Sequence, residues 1–198
     1  MEPDSNIITT PELERHPWPP FIPKGARILI MGTFPPGPHR WSMNFYYPNR
    51  TNDFWFMMGL AFLGDRAALC RPGSRDFDLE AIKRLLTEKH IALNDTGHIV
   101  RRLKGHASDK FLEIVEPVDL HNLLKQMPEC TAVATTGEKA ANVIAELTST
   151  TAPKMGHMVT DKNGLHIWRM PSTSRAYPLA LDKKTAYYAE MFRAEGLL

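Results

Sequence analysis

Four short apolar runs, each stopping at a polar or Gly/Pro-rich segment, constrain this chain more than any other feature. Arg27-Ile28-Leu29-Ile30-Met31 stops at Gly32, and His90-Ile91-Ala92-Leu93 stops at Asn94-Asp95. Thr131-Ala132-Val133-Ala134-Thr135 stops at Thr136-Gly137, and Leu165-His166-Ile167-Trp168-Arg169-Met170 stops at Pro171-Ser172. Runs of this length and composition read as buried strands. Helical spacing lies between them: Phe54, Trp55, Met57, Met58, Ala61 and Phe62, with Thr51 or Asn52 as N-cap, then Leu79, Ile82, Leu85 and Leu86. It returns at Ala140, Ile144 and Leu147, and at Tyr188, Met191 and Phe192. This alternation predicts an α/β fold, a three-layer α/β/α sandwich on a short, mostly parallel four-stranded central sheet. Pro3, Pro11, Pro17, Pro19, Pro20 and Pro23 make residues 1–25 an extended Pro-rich arm, leaving 26–198 as a single domain. That length is enough to bury one core.

Several function classes are excluded at this level. The apolar runs are too short to span a bilayer, and Met1-Glu2-Pro3-Asp4 lacks the pattern of a signal peptide. Cys70 and Cys130 are too few for a disulfide framework or an iron–sulfur site, so a reducing, cytoplasmic setting is expected. The eight histidines show no metal-ligand spacing with the cysteines, and His39, His98, His106 and His157 read as surface residues. Neither Gly-rich nucleotide fingerprint occurs, so no metal and no cofactor is expected. A net charge of +2 and a pI near 8.5 neither demand nor exclude nucleic acid. Arg101-Arg102-Leu103-Lys104 with His106, and Lys183-Lys184, are either solvated surface or phosphate contacts.

In doubly wound folds ligands sit beyond the carboxyl ends of the strands. The four ends here are Gly32-Thr33-Phe34-Pro35-Pro36, Asn94-Asp95-Thr96, Thr136-Gly137-Glu138-Lys139 and Pro171-Ser172-Thr173-Ser174. The first, followed by Tyr46-Tyr47-Pro48 and Asn52-Asp53-Phe54-Trp55, resembles the first signature of the mismatch-specific uracil/thymine-DNA glycosylases. Met170-Pro171-Ser172-Thr173-Ser174-Arg175 resembles that family's insertion loop, with Asp182-Lys183 and Tyr187-Tyr188 echoing the helix after it. Ile91-Ala92-Leu93-Asn94-Asp95, with Ser108-Asp109 further on, is similar to the hypoxanthine-DNA glycosylase-like branch. In one respect the chain departs from much of the uracil-DNA glycosylase superfamily: Phe34 stands where the mismatch-specific branch carries a water-positioning Asn and the classical branch an Asp. The hypoxanthine-like branch it resembles also lacks that residue and relies on an Asn elsewhere in the site.

The resemblance implies a monofunctional DNA glycosylase of base-excision repair. It would act on double-stranded DNA, flip out a deaminated base (uracil or hypoxanthine) and hydrolyse the glycosidic bond with water. It places Asn94 as base reader, the alternative being a turn-capping Asn. Gly32, Thr33 and Pro35 would line the base pocket, and Phe34 and Tyr47 would be stacking walls or core plugs. Asn52 would replace the missing catalytic group unless it only caps its helix, and Asp95 is the rival. Asn44 and Asn49 share the Asn52 loop. Ser172, Thr173, Ser174 and Arg175 would contact DNA, and Lys139 opens a helix whose N-terminus favours an anion or is merely a turn. Two other classes stay open: a silent DNA-binding relative, favoured by Phe34, and a nucleoside enzyme, disfavoured by the insertion loop. No interface signal stands out, so a monomer is expected.

Overall fold

The computed structural model describes residues 12–103 and 111–198. Pro3, Pro11, Lys104, His106 and Ser108-Asp109 lie outside them. In chain order the elements are β1 (Leu13–Arg15), β2 (Ile28–Gly32), α1 (Phe54–Leu63), α2 (Leu79–Glu88), β3 (Ile91–Asp95) and β4 (Gly97–Arg102). There follow β5 (Leu112–Pro117), α3 (Leu120–Lys125), β6 (Ala132–Thr136), α4 (Glu138–Thr148), β7 (His157–Thr160), β8 (His166–Met170) and α5 (Leu181–Ala194).

The central sheet has the order β3-β2-β6-β8-β7, with β3, β2, β6 and β8 parallel and β7 antiparallel at the edge. Every residue of β2, β3 and β6 is buried, as strands covered on both faces must be. Alternate side chains feed opposite layers. Ile28, Ile30, Ile91 and Leu93 pack with Phe54, Trp55, Ile82, Leu86, Tyr188 and Phe192, which puts α1, α2 and α5 on one face. Leu29, Met31, Ala92 and Val133 pack with Leu120, Leu123 and Ile144, which puts α3 and α4 on the other. The expected sandwich is present.

The sheet has five strands rather than the expected four. His157-Met158-Val159-Thr160 escapes recognition because it is a largely exposed edge strand with no apolar run. A second, three-stranded sheet, β1-β4-β5, was also not foreseen. Its strands alternate charged and apolar residues over short lengths, and Arg101 and Arg102 of the basic cluster lie in β4. Leu147 of α4 turns outward and is 40% exposed, while Ala141 and Ala145 join Ala140 and Ile144 in the buried face.

Local chemistry sets the helix starts. The Asp78 carboxylate accepts from the Glu80 and Ala81 N–H groups and caps α2. Before α1 the N-cap is Asp53 rather than Thr51 or Asn52, and its side chain makes no cap bond; Asn52, one residue earlier, accepts from Phe54 N–H through Oδ1 at 2.9 Å. The chain before β2 lies on the domain: β1 pairs with β4, and Phe21 exchanges backbone hydrogen bonds with Leu93 at the β3 edge. Covering that edge removes a template for strand addition.

Candidate active site

The carboxyl ends of the parallel strands open into a cleft of about 620 Å³, a size ordinary for a small-molecule moiety. Gly32, Thr33, Phe34 and Pro35 after β2, Asp95 at the end of β3, and Thr136 at the end of β6 line it. Tyr47 and Asn52, before α1, and Ser172, Thr173, Ser174 and Arg175, after β8, complete the wall. Of the site residues expected from sequence, only Asn94 and Lys139 lie elsewhere. Lys139 lines an adjoining cavity of about 460 Å³ and donates to the Leu112 carbonyl. Asn94 is buried, and its Oδ1 accepts from the Tyr46 hydroxyl at 3.0 Å. It faces a smaller cavity of about 400 Å³ behind Asp95.

Asp95 is the carboxylate of the cleft, and its two oxygens have different environments. Oδ1 lies so close to Gly32 that a Cβ at that position would sit 2.6 Å from it. Oδ2 accepts from His16 Nε2 at 3.0 Å, with side chains only 5% and 7% exposed. His16 Nδ1 lies 2.8 Å from the Trp18 carbonyl oxygen, which accepts only, so the two acceptors around the ring favour the imidazolium form. The Trp18 N–H is 3.3 Å from the same nitrogen, a longer contact that the carbonyl bond outranks. Burial pulls the His16 pKa down, but the hydrogen bond and charge of Asp95 outweigh it and leave it above the ordinary histidine value. Tyr46 stacks on the imidazole at 5.6 Å, and burial, with the Asp95 charge added, keeps its phenol neutral.

Phe34 and Tyr47 give the otherwise polar cleft its aromatic surfaces. Tyr47 has φ +51°, a left-handed conformation costing about 1–3 kcal/mol in a non-glycine residue. That conformation stacks its ring on Phe54 at 3.8 Å and brings its hydroxyl within 3.2 Å of Thr136 Oγ1. Phe34, half-buried, meets the His16 ring edge-on at 5.5 Å. The Arg102 guanidinium lies 5.6 Å from the Phe34 ring centre and donates to the Pro35 carbonyl and to Glu14. Arg101 pairs with Glu113. Both arginines of this basic cluster are thus tied into the small sheet.

The 172–175 loop is held from beneath. Lys184, which reads as half of an exposed basic pair, is fully buried, with Nζ 2.8 Å from both Asp53 Oδ2 and the Ser174 carbonyl. Asp53 N–H donates to the Thr173 carbonyl, and Asp53 Oδ1 takes Arg175 Nε at 3.2 Å. Thr173 is therefore 2% exposed, leaving Ser172, Ser174 and the half-exposed Arg175 to present side chains to the rim. Sequence reasoning missed Arg40 and Tyr177 in the cleft lining, and His16, Asp53 and Lys184 behind it. The signal for His16 was Trp18 within His16-Pro17-Trp18-Pro19-Pro20, since a large aromatic in a Pro-rich arm needs a surface to dock on.

Among the described residues, no three His, Cys, Asp or Glu side chains are grouped to hold a metal ion. No helix among them is long and apolar enough to cross a membrane. Burial raises the Cys130 thiol to about 11 and also raises that of Cys70, so neither is an activated nucleophile.

No family model matches the chain, and no curated protein matches it. Among solved structures it is similar to a solution NMR structure described as that of a "putative Uracil DNA glycosylase" from Methanosarcina acetivorans. The two share 22% identity and superpose with a TM-score of 0.66 over 93% of this chain and 99% of the other. At that identity the likeness is one of architecture, and the chain has a uracil-DNA glycosylase-like α/β/α fold.

Proposed function

We propose that this protein is a DNA glycosylase that hydrolyses the N-glycosidic bond of a flipped, deaminated base in double-stranded DNA, with uracil and hypoxanthine as the substrate class. The observation that carries this reading is the single cleft into which the four strand ends, the Tyr47 ring and the 172–175 loop converge. The shared architecture with the Methanosarcina protein supports it.

In this reading the base enters between Phe34 and Tyr47, whose faces stack on any nucleobase. Ser172, Ser174 and Arg175 meet the flanking phosphates, which offsets the few kcal/mol (about 2–4) of unstacking and unpairing. Asp95 supplies the negative charge that a cationic sugar needs and accepts a proton from water. The water oxygen bonds to C1′, the C1′–N bond breaks with its electron pair leaving on the base, and the proton passes from Asp95 Oδ1 to the departing base. Asn52 orients the water: its Oδ1 keeps a second lone pair beyond the one taken by Phe54 N–H.

Single-turnover reactions on duplexes carrying uracil, hypoxanthine or xanthine, read as alkali-labile breaks, test this. Excision by the wild type, reduced by Asp95→Asn or Asn52→Ala, is the expected outcome. Duplex binding without excision from any of the three would leave a silent DNA-binding relative, the reading that Phe34 in the cleft wall favours.

A further inference from the structure

We infer that His16 is a positioning residue for Asp95, carried to the cleft by the segment that precedes the first central strand. The inference rests on the proposed glycosylase reading. It concerns a residue well outside the strand-end segments that build the rest of the site.

The geometry is specific. Asp95 must turn Oδ1 toward the cleft past Gly32, and a free carboxylate rotates. His16 fixes it by taking Oδ2, and His16 is itself fixed on three sides. Its Nδ1 is held by the Trp18 carbonyl, Tyr46 stacks on its face, and Phe34 abuts its edge. The segment carrying it is tied down on either side. His16 N–H donates to the His98 carbonyl at 2.8 Å, Trp18 Nε1 donates to Asn44 Oδ1, and the Tyr46 hydroxyl shares its one proton between Asn94 Oδ1 and the Pro19 carbonyl, each 3.0 Å away. The ring that locks Asp95 thus also touches Phe34, joining the carboxylate to the aromatic wall of the cleft.

The arrangement also sets a sign for pH dependence. The titratable groups facing His16 are Asp95 on β3 and Tyr46 on the loop before α1. Across the smaller cavity stand His98 on β4 and Asp119 before α3. Tyr46 stays neutral, so Asp95 dominates and the imidazolium is the form that holds it. As pH rises through the raised His16 pKa the charge-assisted bond weakens, and excision should decline.

The test compares His16→Ala and His16→Gln with the wild type in single-turnover excision across pH, with duplex affinity measured in parallel. His16→Ala should slow excision about 10- to 100-fold with duplex affinity unchanged. His16→Gln, which still donates but does not titrate, should recover most of the rate and lose the alkaline decline. A residue that merely supports the fold would change duplex affinity without moving the pH profile of excision. Nitrogen-15 histidine NMR of the free protein gives an independent reading: His16 should titrate above the ordinary value and fall in Asp95→Asn. Wild-type rate and pH profile in His16→Ala would overturn the inference, as would a His16 titration indifferent to Asp95→Asn. If the wild type excises nothing, the glycosylase reading fails, while the titration still decides whether His16 holds Asp95.

Discussion

At the scale of the residue, the site depends on what is missing from Gly32 as much as on what Asp95 carries. The absent Cβ leaves room for Asp95 Oδ1, and Tyr47 Oη would lie 3.3 Å from a Cβ placed there. Gly32→Ala cannot be relieved by simple rotation of the carboxylate, because Oδ2 is held by His16. The fold should lose only about 1–3 kcal/mol to this local overpacking. Excision should fall at least about tenfold, because the displaced group is the one that meets the reacting atoms in the proposed mechanism. Thermal unfolding beside single-turnover excision checks the pair of outcomes; a rate equal to wild type would show that Oδ1 is not used in its observed position.

At the scale of the element, the 172–175 loop is a surface turn with a buried anchor. Lys184 is fully buried and Asp53 Oδ2 is its ionic partner, so Lys184→Met leaves a carboxylate with a single exposed cation, Arg175. Removing one member of such a pair costs about 3–5 kcal/mol, which urea unfolding would register. Arg175→Ala should behave in the opposite way. Its link to Asp53 is half-exposed and worth about 0–1 kcal/mol to the fold. Its loss should weaken duplex binding and lower the slope of log affinity against log salt by about one phosphate contact. The contrast shows what was legible in the chain. The strands β2, β3, β6 and β8 and their polar ends stand out because burial on both faces writes them as unbroken apolar runs. Lys184 does not stand out, since next to Lys183 it looks like ordinary helix surface, and only the position of Asp53, over a hundred residues earlier, makes it a core residue. The strands β1, β4, β5 and β7 are short or half-exposed and carry no run to read. Asn94 and Asp95, adjacent in sequence, both border the smaller cavity, but only Asp95 also reaches the cleft, a difference that sequence resemblance alone could not apportion between them.

At the scale of the whole molecule, residues 12–25 tie the two sheets together: β1 pairs with β4, His16 reaches Asp95, and Phe21 covers the edge of β3. Global stability is therefore linked to the protonation of one imidazole. The His16 pKa is raised on folding, so the folded state binds the proton more tightly than the unfolded chain, whose histidines titrate near 6.5. Its contribution is fully present below that unfolded value and is lost as pH rises through the higher folded value. The unfolding free energy of the wild type should therefore exceed that of His16→Gln by most near pH 5–6. The gap, about 1–2 kcal/mol for one charge-assisted bond over a neutral one, should close toward pH 9. Urea unfolding of both proteins at matched pH checks it, and a gap that widens with pH would mean that His16 is folded as the neutral imidazole. The slope is a property of the assembled molecule, because the proton is bound tightly only where a residue of the N-terminal segment meets the end of a central strand.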